Sequence, residues 1–386
     1  MLPSRTDCGA KAPAAAARTN RNLPSSVQTP FRSESVAPIG DLLALSPELM
    51  PLAETLGEWL GRSRRVFDEQ LASDLPPVAA LVEHVERYHG KMLRPTLVML
   101  AGLAAHPRAG QIAPDEALTD AHAKLGAVCE MVHLATLVHD DVLDEADVRR
   151  RGATVNHLRG NEAAVILGDY LIAGAYHLCS TLPTQRAALS IGRASMVVCA
   201  GELLQLHHRG DYSLDEPTYF EIVDRKTAEL IAVSAELGAH ASGADDATCG
   251  HLAAFARKLG IAFQIQDDLL DLTGAEGVVG KSVGKDLEKA KMTLPLIHHL
   301  ATADAMVRGR TLALLEQARA EEESRRPVDV GPQVMRLVES TGSIEYARGC
   351  AKNLVASAQQ HIAGLADSPA KRVLGVLARA VVERAF

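Results

Sequence analysis

The stretch Met131-Val132-His133-Leu134-Ala135-Thr136-Leu137-Val138-His139-Asp140-Asp141-Val142-Leu143-Asp144 is largely apolar until it closes on three aspartates. Residues three and four apart share one face of a helix, so Asp140 and Asp144 stack one turn apart with Asp141 beside them. Like charges at that spacing destabilise an isolated helix by about 0.2–0.5 kcal/mol, and acids at a helix C-terminus oppose its dipole. A bound cation reverses the sign of both effects. The arrangement recurs in Phe263-Gln264-Ile265-Gln266-Asp267-Asp268-Leu269-Leu270-Asp271, where Asp267 and Asp271 are again one turn apart. A solvated helix end is the bland account of either cluster alone. It is a poor account of two copies, each ending an apolar helix.

Ligand sets made only of carboxylates suit a hard cation such as Mg2+, which keeps several waters and bridges readily to phosphates. His139 has no second histidine three or four residues away. His207-His208 and His298-His299 are adjacent pairs, read as surface residues. A phosphorylated guest also needs fixed positive charge. Arg149, Arg150 and Arg151 follow the first cluster, and Lys281, Lys285 and Lys291 follow the second. Lys91 and Arg94 are expected on one helical face, with Lys226 and Thr227 in mid-helix. Singly each cation is an ordinary surface charge; with two acidic clusters they describe a site for a metal-bridged polyanion.

Outward from these clusters the pattern is helical from about Leu49 to Phe386, dominated by Ala and Leu, with 3% aromatic residues and few alternating β-branched runs. Helices are expected over 49–73, 77–87, 91–105, 115–144, 161–180, 184–208, 217–241, 247–271, 293–302, 304–322, 331–339, 343–365 and 368–385. The expected fold class is all-α, a single large helical bundle over 46–386. Residues 1–45, rich in Ala, Ser, Pro and Arg and poor in acids, are expected as a disordered leader, with a targeting segment as the alternative. The 386 residues are 47% hydrophobic, ample for a core, and the net charge of −8 argues against a nucleic-acid binder. Six scattered cysteines without a C-x-x-C pair fit a reducing compartment, and the expected location is cytoplasmic, organelle import remaining open. No stretch is read as approaching the roughly 18 apolar residues of a membrane span.

Taken together, these residues resemble the trans-isoprenyl (polyprenyl) diphosphate synthase family, over about 48–386. The two D-D-x-x-D clusters look like its paired aspartate-rich motifs. Gly90-Lys91 with Arg94-Pro95, Gly168-Asp169, Gly201-Glu202 with Gln205, Lys226-Thr227, and Asp286-Leu287 before Thr293-Leu294-Pro295 are also in register. The resemblance implies an isoprenoid synthase-like bundle around a central cavity, usually a homodimer, and condensation of isopentenyl diphosphate with an allylic diphosphate. It further implies that Asp140, Asp141, Asp144, Asp267, Asp268 and Asp271 hold three Mg2+ ions. Arg149, Lys226 and Lys281 would hold the allylic diphosphate; Lys91, Arg94, His133 and Arg150 would hold isopentenyl diphosphate. Thr227 and Gln264 would lie near the reacting carbons. Two positions depart from the family pattern: Met92, where a second basic residue is usual, and Arg151-Gly152, which reverses the usual glycine-then-base order.

The growing chain should run along the helix that ends at Asp140. Five residues earlier, roughly 7–8 Å deeper at 1.5 Å per residue, stands Ala135 with Thr136 beside it. Short-chain relatives tend to carry an aromatic floor there, so a small residue implies a long product of roughly six to ten isoprene units, such as a quinone side chain. Ala135 as plain helix packing is the competing account. Competing functions are a short-chain geranylgeranyl or farnesyl diphosphate synthase, a class I terpene cyclase, which would carry more aromatics and a different second motif, and a non-catalytic subunit, which would have lost ligands. Ala275 to Ser282 matches a relaxed P-loop, yet it follows a helix where that loop must follow a strand.

Overall fold

The computed structural model describes residues 49–88, 90–149, 152–273, 289, 291–324 and 330–383. The expected leader, Arg150, Arg151, Lys281, Lys285, Asp286-Leu287 and the P-loop-like segment lie outside the described residues.

The helices are α1 Met50–Leu71, α2 Pro76–Glu86, α3 Leu93–Ala105, α4 Pro114–Ala117, α5 Asp120–Leu143, α6 Val155–Arg159, α7 Asn161–Ser180, α8 Arg186–His207 and α9 Glu216–Val223. A π-helical turn, Asp224–Ala228, leads into α10 Glu229–Ala241. They continue as α11 Asp246–Thr273, α12 Leu294–Thr302, α13 Ala305–Ser324, α14 Gly331–Ser340, α15 Ser343–Ile362 and α16 Pro369–Val382. Strands β1 Val148–Arg149 and β2 Gly152–Ala153 pair antiparallel, Val148 opposite Ala153. All-α is the observed class.

α3, α5, α10 and α11 form the middle of the bundle: α10 packs on α3, α5 and α11, α5 packs on α7, and α11 packs on α15. Two apolar cores result. One gathers Trp59, Leu97, Phe255 and Leu374; the other gathers Phe67, Met131, Leu134, Leu171 and Leu237 around the α5 face that leads to the first aspartates.

Several sequence expectations need correction. The helix read over 115–144 is two, because Leu118 and Thr119 are extended and Thr119 caps α5 in a reciprocal box with His122. The helix read over 91–105 starts only at Leu93, because Met92 takes a left-handed conformation with φ 52°. Lys91 therefore precedes the helix and does not share its face with Arg94. The helix read over 217–241 is interrupted by the π turn. His299 is buried, bonded to Thr341 and Thr311, and His298 bonds Ser343 and stacks on Tyr346; neither is a surface residue. Finally, α7 and α8 are long and apolar enough to cross a membrane by length and composition alone, contrary to the sequence reading. Both carry charges, among them Asp169, Arg193 and Glu202.

Candidate active site

At the end of α5 the backbone N–H of Asp144 donates to Asp140 O at 2.8 Å, so the helical spacing of the first cluster holds to its last residue. Asp141 is 1% exposed and accepts from Arg149 through Nε at 2.8 Å and Nη2 at 2.7 Å. The β1–β2 ribbon delivers that arginine. Thr154 Oγ1 donates to Ala146 O, and Asn156 Nδ2 donates to the carbonyls of Asp141 and Ala146, tying the ribbon to the helix end. The Tyr88 hydroxyl accepts from Val155 N–H at 3.1 Å, and burial together with the charge of Asp141 pushes its pKa up to about 12. Asp144 takes Lys289 at 3.1 Å and Arg209 at 3.6 Å. Asp140 is pushed up to about 6, mainly by burial, with Glu202 and Asp144 adding and Lys226 opposing.

The π turn faces this cluster. Lys226 Nζ pairs with Glu202 of α8 and lies 3.7 Å from Asp140. Two glycines admit the turn: a Cβ on Gly201 would meet Lys226 N at 2.7 Å, and one on Gly260 would meet Ala228 Cα at 2.8 Å. Beside Lys226, Thr227 Oγ1 donates to Gln264 Oε1 at 3.0 Å. The second cluster thus approaches the first through neighbouring residues of one turn. Asp268 is 1% exposed and accepts from Gln264 Nε2 at 2.9 Å, Tyr219 Oη at 2.8 Å and Lys291 Nζ at 3.3 Å. Asp267 and Asp271 are half-buried.

Of the other expected site residues, Lys91 is exposed ahead of α3, and His133 lies on α5 two turns before Asp140. Arg94, in the first turn of α3, has its Nε shielded without a hydrogen-bond partner; burial lowers its pKa and Glu130 opposes that. Ala135 is fully buried in the second core, and Thr136 Oγ1 bonds His133 O. Sequence reasoning assigned no role to Glu202, Tyr88, Tyr219, Arg209 or Lys289. Only Glu202 carried a signal, its place beside Gly201.

With that geometry in view, a family profile described as polyprenyl synthetase matches residues 76–328. The chain belongs to this family. A prenyl transferase of Synechocystis is 36% identical over 299 residues, covering 78% of this chain and 87% of that protein. The octaprenyl diphosphate synthase of Escherichia coli is 32% identical over 318 residues, covering 82% and 93%. A crystal structure of a Caulobacter crescentus polyprenyl synthase, complexed with calcium and isoprenyl diphosphate, superposes with a TM-score of 0.77 at 31% identity, covering 87% and 98%. As a polyprenyl synthetase the protein is a prenyltransferase, of a family that works with a divalent metal ion.

The residues present fit such an ion. The donors are hard oxygens, and Asp141 Oδ2 is shielded from solvent without a hydrogen-bond partner. Among the described residues no three His, Cys, Asp or Glu side chains converge as a ready-made cage. That suits an ion shared between a few carboxylates and the phosphates of a substrate. A half-open cleft of about 410 Å³ beside Thr273, Met335, Glu339 and Arg348 is lined by none of these site residues.

Proposed function

We propose that this prenyltransferase condenses isopentenyl diphosphate with an allylic diphosphate and repeats the step to an all-trans product of roughly six to ten isoprene units, suited to a quinone side chain. The observation that carries it is the path between the two aspartate clusters: Asp140 to Lys226 at 3.7 Å, Thr227 next in the chain, its hydroxyl on Gln264, and Gln264 on Asp268. Two acidic groups joined this way around half-buried cations suit a polyanion bridged by metal.

Bound Mg2+ would supply charge stabilisation for the departing diphosphate. Asp140, Asp141 and Asp144, with Asp267, Asp268 and Asp271, are the residues to hold it. Arg149 and Lys226, with Lys281, hold the allylic diphosphate as its C–O bond breaks and the electron pair leaves with the phosphate, where fixed positive charge lowers the barrier. Lys91, Arg94, His133 and Arg150 hold isopentenyl diphosphate, whose double bond attacks the allylic carbon. The new cation then loses a proton to the diphosphate. Apolar walls from α5 and α10 keep water from the cation. Incubation with Mg2+, labelled isopentenyl diphosphate and several allylic primers, followed by chromatography of dephosphorylated products, tests the reading. A long-chain ladder is expected; a cyclic terpene, or no product from any primer, overturns it.

The second part of the proposal is a homodimer through α7 and α8. Leu189, Met196 and Leu203 recur every seven residues on α8 at 69%, 76% and 67% exposure, with Ile166 and Tyr176 exposed on α7. Only 28% of the most apolar 18-residue window of α8 is buried. A stripe at this spacing is the pattern of a helix seam against a second copy.

A further inference from the structure

The hydrogen bonds around Asp268 have directions that chemistry fixes. An ionised carboxylate only accepts, so Tyr219 donates its hydroxyl proton to Oδ2 at 2.8 Å, and Gln264 donates from Nε2 to Oδ1 at 2.9 Å. An amide held by its nitrogen turns its oxygen the other way. There Oε1 accepts the hydroxyl proton of Thr227 at 3.0 Å. With its proton committed to Gln264, the Thr227 oxygen presents its lone pairs to its other neighbours. Tyr219 is 2% exposed and Asp268 1%, so solvent hardly competes for the bond between them and low polarity strengthens it, while Gln264 and Thr227 are half-buried. Tyr219 comes from α9, Asp268 and Gln264 from α11, and Thr227 from the π turn. The line therefore couples three elements, and its far end is a residue that the reaction above does not use.

We propose that Tyr219 is a positioning residue for prenyl transfer, acting through Asp268 and Gln264 to hold the Thr227 hydroxyl with its lone pairs toward the allylic carbon. This rests on the reaction proposed above. Without the tyrosine hydroxyl, Oδ2 of a buried carboxylate loses that donor. Asp268 then turns toward its remaining donors, Gln264 follows, and Thr227 is released to rotate. The bond that forms and the bond that breaks in the reaction are unchanged; what changes is the fixed dipole facing the charge that develops between them.

The test is a double-mutant cycle between two side chains at opposite ends of the relay. Tyr219→Phe keeps the ring and removes the O–H. It is expected to lower kcat about tenfold with KM for both substrates within about twofold, as the loss of one bond to a charged group would do. Thr227→Val lowers kcat on its own, and the double variant is expected to be no slower than the worse single variant. Tyr219→Phe combined with Thr227→Ser, which keeps the hydroxyl, should match Tyr219→Phe alone. Losses that multiply in the Val cycle overturn the proposal. So does a Tyr219→Phe enzyme whose thermal midpoint falls while kcat per folded molecule is intact. Wild-type turnover is measured in the same assay, so failure of the reaction shows in the unmutated chain and failure of the relay only in the variants.

Discussion

His122 on α5 accepts the backbone N–H of Thr119 on Nδ1 at 3.0 Å and reaches Gly238 O and Ser242 Oγ with Nε2 at 3.2 and 3.0 Å. This pattern selects the neutral ring with its proton on Nε2, and burial lowers its pKa to about 4. The unfolded chain binds a proton near pH 6.5 that the folded one refuses until about pH 4. Stability is therefore complete above the unfolded value, falls as pH drops between the two, and levels below the lower one, a loss of up to about 3 kcal/mol. Urea unfolding at pH 7 and pH 5 should show about 2 kcal/mol of that loss in wild type and a smaller one in His122→Gln. Ala135 poses a different single-residue question. Ala135→Phe overpacks a fully buried site, at a cost of about 1–3 kcal/mol, and is expected to shorten the product as well. A destabilised enzyme with an unchanged product ladder would assign Ala135 to helix packing alone.

At the scale of elements, the π turn decides the site. An extra residue in one turn rotates the succeeding helix by about 100°, so Tyr219 and Ile222 before it and Leu230 and Ile231 after it can all be buried while Lys226 and Thr227 look toward the carboxylates. Arg257 on α11 clamps the turn from both ends. Its Nη1 donates to both oxygens of Asp224 at 2.7 and 2.8 Å, and its Nη2 donates to Glu229. Arg257→Met should destabilise the protein by about 1–3 kcal/mol, most of it from Glu229, since the Asp224 pair is about one-third exposed and screened. It should also weaken binding of inorganic diphosphate with Mg2+, because Lys226 rides on that turn. Arg257→Lys should recover only part of either effect, as a point charge cannot span both carboxylates. Denaturant unfolding and calorimetry read the two effects separately.

For the whole molecule, the exposed stripe on α8 predicts a dimer. Met196→Glu with Leu203→Glu should give a monomer by sedimentation; wild type sedimenting as a monomer would remove the seam's purpose. The helical class was legible in the chain because amphipathic spacing is local, and the twin aspartate clusters because a D-D-x-x-D at a helix end is an electrostatic oddity wherever it occurs. Three things were decided only by tertiary structure. The π turn depends on Gly201 and Gly260 letting two other helices close on it, contacts that a period of 3.6 does not register. The burial of Asp141 and Asp268 depends on partners brought in by other elements, Arg149 by a short ribbon that folds back eight residues on and Tyr219 by a separate helix 49 residues away. His299 became a core residue because Thr341 and Thr311 come round to bond its ring, which adjacency to His298 could not reveal. Periodicity and charge repulsion act over a turn or two and can be read along the chain. Close approach and the pairing of buried polar groups act across space, and they exist only once the helices have met.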